Sequence, residues 1–249
     1  GIYLASCSTK PDSGEVSETV KVRLPWPDAQ GNYESQVVEI KTLTNIRYIR
    51  GQTANFFYAP QMNGNHLEGA PPMIETMVTS DGIYVPKNSF SAQILSIYAH
   101  IERLVDLDHS LGLPQPEPLN VGVSVLMRAF SNSLDYNNAL YYGPFNALLV
   151  VPYTLESLPL AVNGGVLAHE YFHSLFHRIV LLNAPEENLQ GNSEDKAGTS
   201  RVSIERRRRD LTNYTLKRAY NEGIADFWGY MYSGDSSFID KSLSQDGFG

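Results

Sequence analysis

The sequence predicts an α+β fold, on three observations. Period-two alternation crowds the first third of the chain, a helical pattern stands alone near 89–107, and the last third is dominated by strongly apolar or charged helix patterns. With 249 residues the chain has room for one or two domains and a real core. Its 42% apolar and 18% charged residues exclude wholesale disorder and collagen-like repetition.

The strands come first. Val20-Lys21-Val22-Arg23-Leu24 and Val38-Glu39-Ile40-Lys41-Thr42-Leu43 alternate apolar and polar residues between Pro, Gly and Asn turn signals, so each reads as half-buried. Residues 61–72, with Gly64, Gly69, Pro71 and Pro72, read as a long loop, followed by short apolar segments at 73–78 and 83–85. Ser89 offers an N-cap for a helix whose Ile94, Ile97, Tyr98, Ile101, Leu104 and Val105 share one face. After the loop of Pro114, Pro116 and Pro118, strands are expected at 121–125 and 148–151.

Gly164-Gly165 read as the end of this β region, and a second helix as starting at Val166. Residues 183–210 are polar without apolar periodicity and read as an exposed excursion, with a third helix from near Leu211 to Tyr232. The expected division is therefore 1–15 as a processing region and linker, 16–163 as a β-rich lobe, and 164–249 as a helical lobe with an inserted loop at 183–210.

The balance of 19 Lys and Arg against 27 Asp and Glu gives a formal charge of −8 and argues against a nucleic-acid surface. The run Arg206–Arg209 is flanked by Glu205 and Asp210 and reads as a solvated face or a protease-sensitive loop. A single cysteine, Cys7, excludes an intramolecular disulfide framework. Leu4-Ala5-Ser6-Cys7 resembles a bacterial lipobox. That implies a signal-peptide remnant at 1–6, a lipid anchor on Cys7, and an extracytoplasmic location as a membrane-anchored lipoprotein or secreted protein. The far end, Ser244 to Gly249, shows no terminal packing element, so the chain reads as a fragment there.

His169-Glu170-Tyr171-Phe172-His173 is an H-E-x-x-H run on a helix, whose two histidines, four apart, can share one metal ion. Glu170 beside them can take a proton from a water activated by the metal and pass it to a leaving amine. An ordinary amphipathic helix would leave these three polar groups unexplained, because Leu167, Phe172, Leu175 and Phe176 already supply its apolar face. Downstream, Asn221-Glu222-Gly223-Ile224-Ala225-Asp226 places Glu222 and Asp226 at i, i+4. A third ligand and a carboxylate that orients a ligating histidine both fit, which completes a His₂Glu zinc set. His177, rotated about 80° from His169 on the helix, reads as a neighbouring group outside that set. His66, His100 and His109 have no ligand spacing.

Together these motifs resemble the gluzincin metallopeptidases, and within them the thermolysin-like group, over roughly 89–233. The resemblance implies a two-lobed enzyme with a β-rich N-terminal lobe, a zinc helix along the cleft floor, and a helical C-terminal lobe that looks truncated. It implies zinc on His169, His173 and Glu222, Glu170 as general base, and Asp226 and Asn221 supporting the ligands. It further implies that Asn138-Ala139-Leu140-Tyr141 is the edge strand that binds a peptide backbone through Asn138 and Ala139, although Leu140 replaces the usual aromatic. Tyr214 is the matching oxyanion donor. The interval from His173 to Glu222 is longer than in thermolysin, and no histidine follows His177 to serve as the family's oxyanion histidine. The expected activity is therefore zinc-dependent endopeptidase cleavage of peptide or protein substrates. An aminopeptidase of the same clan and a non-catalytic, lipid-anchored zinc module remain as alternatives.

Overall fold

The computed structural model describes residues 14–16, 19–63, 66–113, 117–125, 138–151, 158–182 and 201–242, with the backbone alone at 201–214. It is mixed α+β. Alternation does in β1 (Val20–Pro27) what it predicts: Val20, Val22, Leu24 and Trp26 are buried while Lys21 and Arg23 face out. β1 pairs antiparallel with β2 (Tyr33–Ile40), bringing Val22 opposite Val38 and Leu24 opposite Gln36. After the short hairpin of β3 (Leu43–Asn45) and β4 (Arg50–Gly51), the chain enters β5 (Ala54–Tyr58).

The stretch 61–72 corrects the loop expectation. It contains a small hairpin, β6 (Gln61–Asn63) against β7 (His66–Glu68), whose three-residue strands carry too little alternation to stand out among their turn residues. The segment at 73–78 is irregular over 73–75 and then forms β8 (Thr76–Val78), paired to β9 (Ile83–Pro86). The first sheet has the order β2-β1-β9-β8.

Helix α1 (Ser89–Ser110) is capped one residue earlier than Ser89: the Asn88 side chain accepts from Ser91 N–H at 2.8 Å. Its Ile94, Ile97, Tyr98, Ile101 and Leu104 are buried as expected. A second sheet, ordered β11-β12-β10-β5, holds β10 (Leu119–Val123), β11 (Ala139–Tyr142) and β12 (Ala147–Val150). β10 lies parallel to both β5 and β12, whereas β11 is antiparallel to β12 and forms the sheet's edge.

Helix α2 (Gly164–Phe176) continues into a π turn, His177–Leu181. Gly164 and Gly165 thus open the helix, a correction to their reading as the end of the β region. Asn163 explains it, because its side chain accepts from Gly165 and Val166 N–H and caps the first turn. Helix α3 (Arg201–Ser233) begins ten residues before the expected start, so 201–210 is helical where an exposed excursion was expected. Arg and Glu are good helix formers and do not require an apolar face. Residues 183–200 lie outside the described residues, as do 1–13 with Cys7.

One core cluster joins all layers. Leu24, Ile40, Ile97, Ile101, Leu148 and Tyr171 are fully or almost fully buried in it, and Leu167 and Ala168 of α2 belong to it too. Each such aliphatic side chain contributes about 1.5–3 kcal/mol on burial. The core therefore runs without interruption across the 163/164 boundary and anchors α2 between the sheets, α1 and α3. No described helix is long and apolar enough to cross a membrane.

Candidate metal centre

Helix α2 is held at its N-terminal end before any chemistry is considered. Gly164 N–H donates to the Tyr33 hydroxyl at 2.6 Å, and Asn163 Nδ2 donates to the Phe238 carbonyl at 2.7 Å and to Ser242 Oγ at 2.8 Å. Against it lies α3, at a distance only glycine permits: a Cβ on Gly229 would stand 2.8 Å from the Gly165 carbonyl oxygen. This close approach brings the α3 segment around Glu222 over the histidine face of α2.

His169 Nε2 and His173 Nε2 are 3.1 Å apart, with ring planes at 89°. Glu222 Oε2 lies 3.5 Å from each of them. Donors set tetrahedrally at about 2.0–2.1 Å from a common centre stand about 3.3–3.4 Å from one another. The three atoms therefore match one face of such a tetrahedron. The histidine side chains are only 14% and 12% exposed, while that of Glu222 is 50% exposed.

The outer ring nitrogens are engaged from α3. Asp226 Oδ1 is 2.9 Å from His169 Nδ1, an ion-pair separation oblique to the ring N–H direction, and Asn221 Oδ1 is 3.1 Å from His173 Nδ1. An oxygen beside each Nδ1 favours the tautomer that carries its proton there and leaves both Nε2 lone pairs facing the same point. Burial lowers the pKa of His169, and the neighbouring His173 lowers it further, against the opposing pull of Asp226 and Glu222. Both effects favour a neutral, ligating imidazole.

Glu170 is half-buried on the neighbouring face. Its Oε2 accepts the main-chain N–H of Tyr141 at 2.8 Å. Burial pushes its carboxyl up to about 8, with Glu222 adding to the rise and the Tyr141 N–H opposing it. Ligand atoms of His169, Glu170 and His173 all lie within 4.8 Å of one another.

One edge-strand residue, Tyr141, meets this cluster. Asn138 O accepts from Val151 N–H, so its carbonyl faces β12. The Tyr141 N–H instead points away from β12 toward Glu170. Strand parity then turns the main chain of Ala139, like that of Tyr141, to the outer edge. His177 stays out of the ligand set and packs its ring against Tyr141, with centroids 6.1 Å apart. Tyr214 lies on α3 two helical turns before Glu222, and its side chain is outside the described residues.

Two features had no reading in the sequence, and a third, His100, was read only as lacking ligand spacing. The Tyr141 N–H is a backbone atom and leaves no residue-type signal. Tyr171, inside the metal motif, donates its hydroxyl to the buried Asp108 at 2.7 Å, and Arg178 Nη2 donates to the same oxygen at 3.4 Å. His100 is fully buried, stacked on Trp26 with centroids 3.9 Å apart, and its Nδ1 is 2.7 Å from the Tyr232 hydroxyl. The sequence did carry a signal for His100, which falls on the apolar face of α1 between Ile97 and Ile101 and Leu104.

Comparison with known proteins finds no family model that matches the chain and no curated protein that matches it.

Proposed function

We propose that this chain is a zinc-dependent peptidase of the gluzincin type, thermolysin-like in its two-lobed plan and acting as an endopeptidase. The observation that carries the reading is the triangle of His169 Nε2, His173 Nε2 and Glu222 Oε2, with edges of 3.1, 3.5 and 3.5 Å beside a half-buried Glu170. Two imidazoles and one carboxylate with an open fourth corner are the donor set of catalytic zinc. Zinc bound there supplies Lewis acidity toward a scissile carbonyl and toward the attacking water.

The remaining steps belong to the chain's own residues. Glu170, as general base, takes the proton of the attacking water and then delivers it to the leaving amine. Asp226 and Asn221 keep His169 and His173 in their ligating tautomers. The outer edge of β11 accepts the substrate backbone as an added strand through Ala139, with Asn138 beside it. Tyr214 is assigned as oxyanion donor on its position before Glu222. The lipobox-like Leu4–Cys7 supports a lipid-anchored, extracytoplasmic placement, which mass spectrometry of the N-terminal peptide tests directly.

The test is paired. Purified wild type and Glu170→Ala are assayed for zinc by elemental analysis and for cleavage of an unstructured protein. One equivalent of zinc in both, with cleavage only by wild type and abolished by a chelator, is the expected result. Folded protein without zinc overturns the site assignment. Zinc without cleavage by wild type leaves a binding module.

A further inference from the structure

The edge strand runs alongside helix α2 in the same sense. Tyr141 N–H meets Glu170 at 2.8 Å, the His177 ring lies 3.3 Å from where a Cβ on Gly143 would stand, and Ala139 packs in one apolar cluster with Val166, Phe238 and Leu160. On a helix, Val166 is rotated about 60° from His169 and Glu170 about 100° in the same direction. Val166 thus shares the metal-binding face, one turn toward the N-terminus.

A peptide added along the outer edge of β11 turns alternate side chains toward α2. On the Ala139 side of the metal triangle, such a side chain would come toward Val166, which packs in one apolar cluster with Phe238. The Phe238 residue is only 4% exposed, and its ring is built into place from both helices. A Cβ on Gly165 would lie 2.4 Å from its Cγ, and one on Gly229 would lie 2.6 Å from its Cζ. Its carbonyl accepts from Asn163, the cap of α2.

We propose that Phe238 closes the substrate side-chain subsite at the Ala139 end of the cleft, so that the enzyme accepts only Gly, Ala or Ser at that position. This assignment rests on the peptidase reading and adds a specificity-determining residue to it. The opposite side of the scissile bond, beside Tyr141 and His177, is untouched by Phe238.

The experiment uses the zinc-loaded full chain as wild type, Phe238→Ala and Phe238→Leu, each checked for folding by thermal melting. The substrates are quenched peptides randomised on both sides of the scissile bond. Wild type is expected to demand a small residue on one side only. Phe238→Ala should then raise kcat/KM for Leu or Phe at that position by roughly tenfold or more, with Phe238→Leu intermediate and the other position unchanged. Wild-type acceptance of Leu and Phe on both sides overturns the assignment, as does an unaltered profile in whichever variant folds. Absence of cleavage of every peptide by zinc-loaded wild type overturns the peptidase reading, and this assignment with it.

Discussion

The main-chain N–H of Tyr141 donates to Oε2 of Glu170 at 2.8 Å, joining the outer edge of a β-sheet to helix α2. The donor lies outside the β11–β12 ladder, so it can be removed without breaking the sheet. Tyr141→Pro deletes this N–H, whereas Tyr141→Ala deletes the side chain and keeps it. Proline is expected to lower kcat about tenfold or more relative to alanine while KM moves little, because Glu170, the proposed general base, loses its fixed position. Steady-state kinetics on the two variants checks this, and equal kcat values would refute it.

Asp226→Asn and Asn221→Ala are each expected to weaken zinc binding by about 10–100-fold, since they hold the outer nitrogens of His169 and His173. Competition against a chromophoric chelator measures the loss. Unchanged affinity in both would show that α2 alone orients the imidazoles.

His100 makes the fold acid-sensitive. Burial, and secondarily Arg103, lowers its pKa to about 3, against an ordinary 6.5. Below 6.5 the unfolded chain binds a proton that the folded chain refuses, so this contribution is complete above pH 6.5 and is lost as pH falls toward 3. The slope approaches about 1.4 kcal/mol per pH unit. Besides Arg103, the ring faces Trp26 of β1 and Tyr232 of α3. His100→Phe should be less stable than wild type at pH 7, for want of the Tyr232 bond, yet lose less stability between pH 7 and 4.5. Urea unfolding at the two pH values decides, and parallel losses would exclude His100 as the source.

Gly165→Ala is expected to destabilise by about 1–3 kcal/mol, because its Cβ would stand 2.4 Å from the Phe238 ring at the close approach of α2 and α3. Thermal melting reads this as a lowered Tm. Gly223→Ala, with nothing within 4 Å of its added carbon, is the control and should raise or hold Tm.

The sequence by itself determined the alternating strand β1, the buried face of α1 and the spacing of the donor set, whereas the strand read over 38–43 is broken by a bend at Lys41-Thr42 between β2 and β3. Each depends on periodicity: Val20 to Trp26 alternate at period two, and His169 and His173 repeat at one helical turn. It could not show the hairpin at 61–68, whose three-residue strands are too short to repeat the two-residue alternation, or the early start of α3, whose Arg-rich turns need no buried face. Only the tertiary structure decided which atoms meet. Asp226 was expected beside His169, but pairing Asn221 with His173 required α3 to lie at glycine-limited distance from α2. The Tyr141 N–H reaches Glu170, and the Phe238 ring reaches Gly165, because β11 and the turn after α3 both pack against α2. Such contacts depend on the relative placement of distant segments, which no local pattern of residue types encodes.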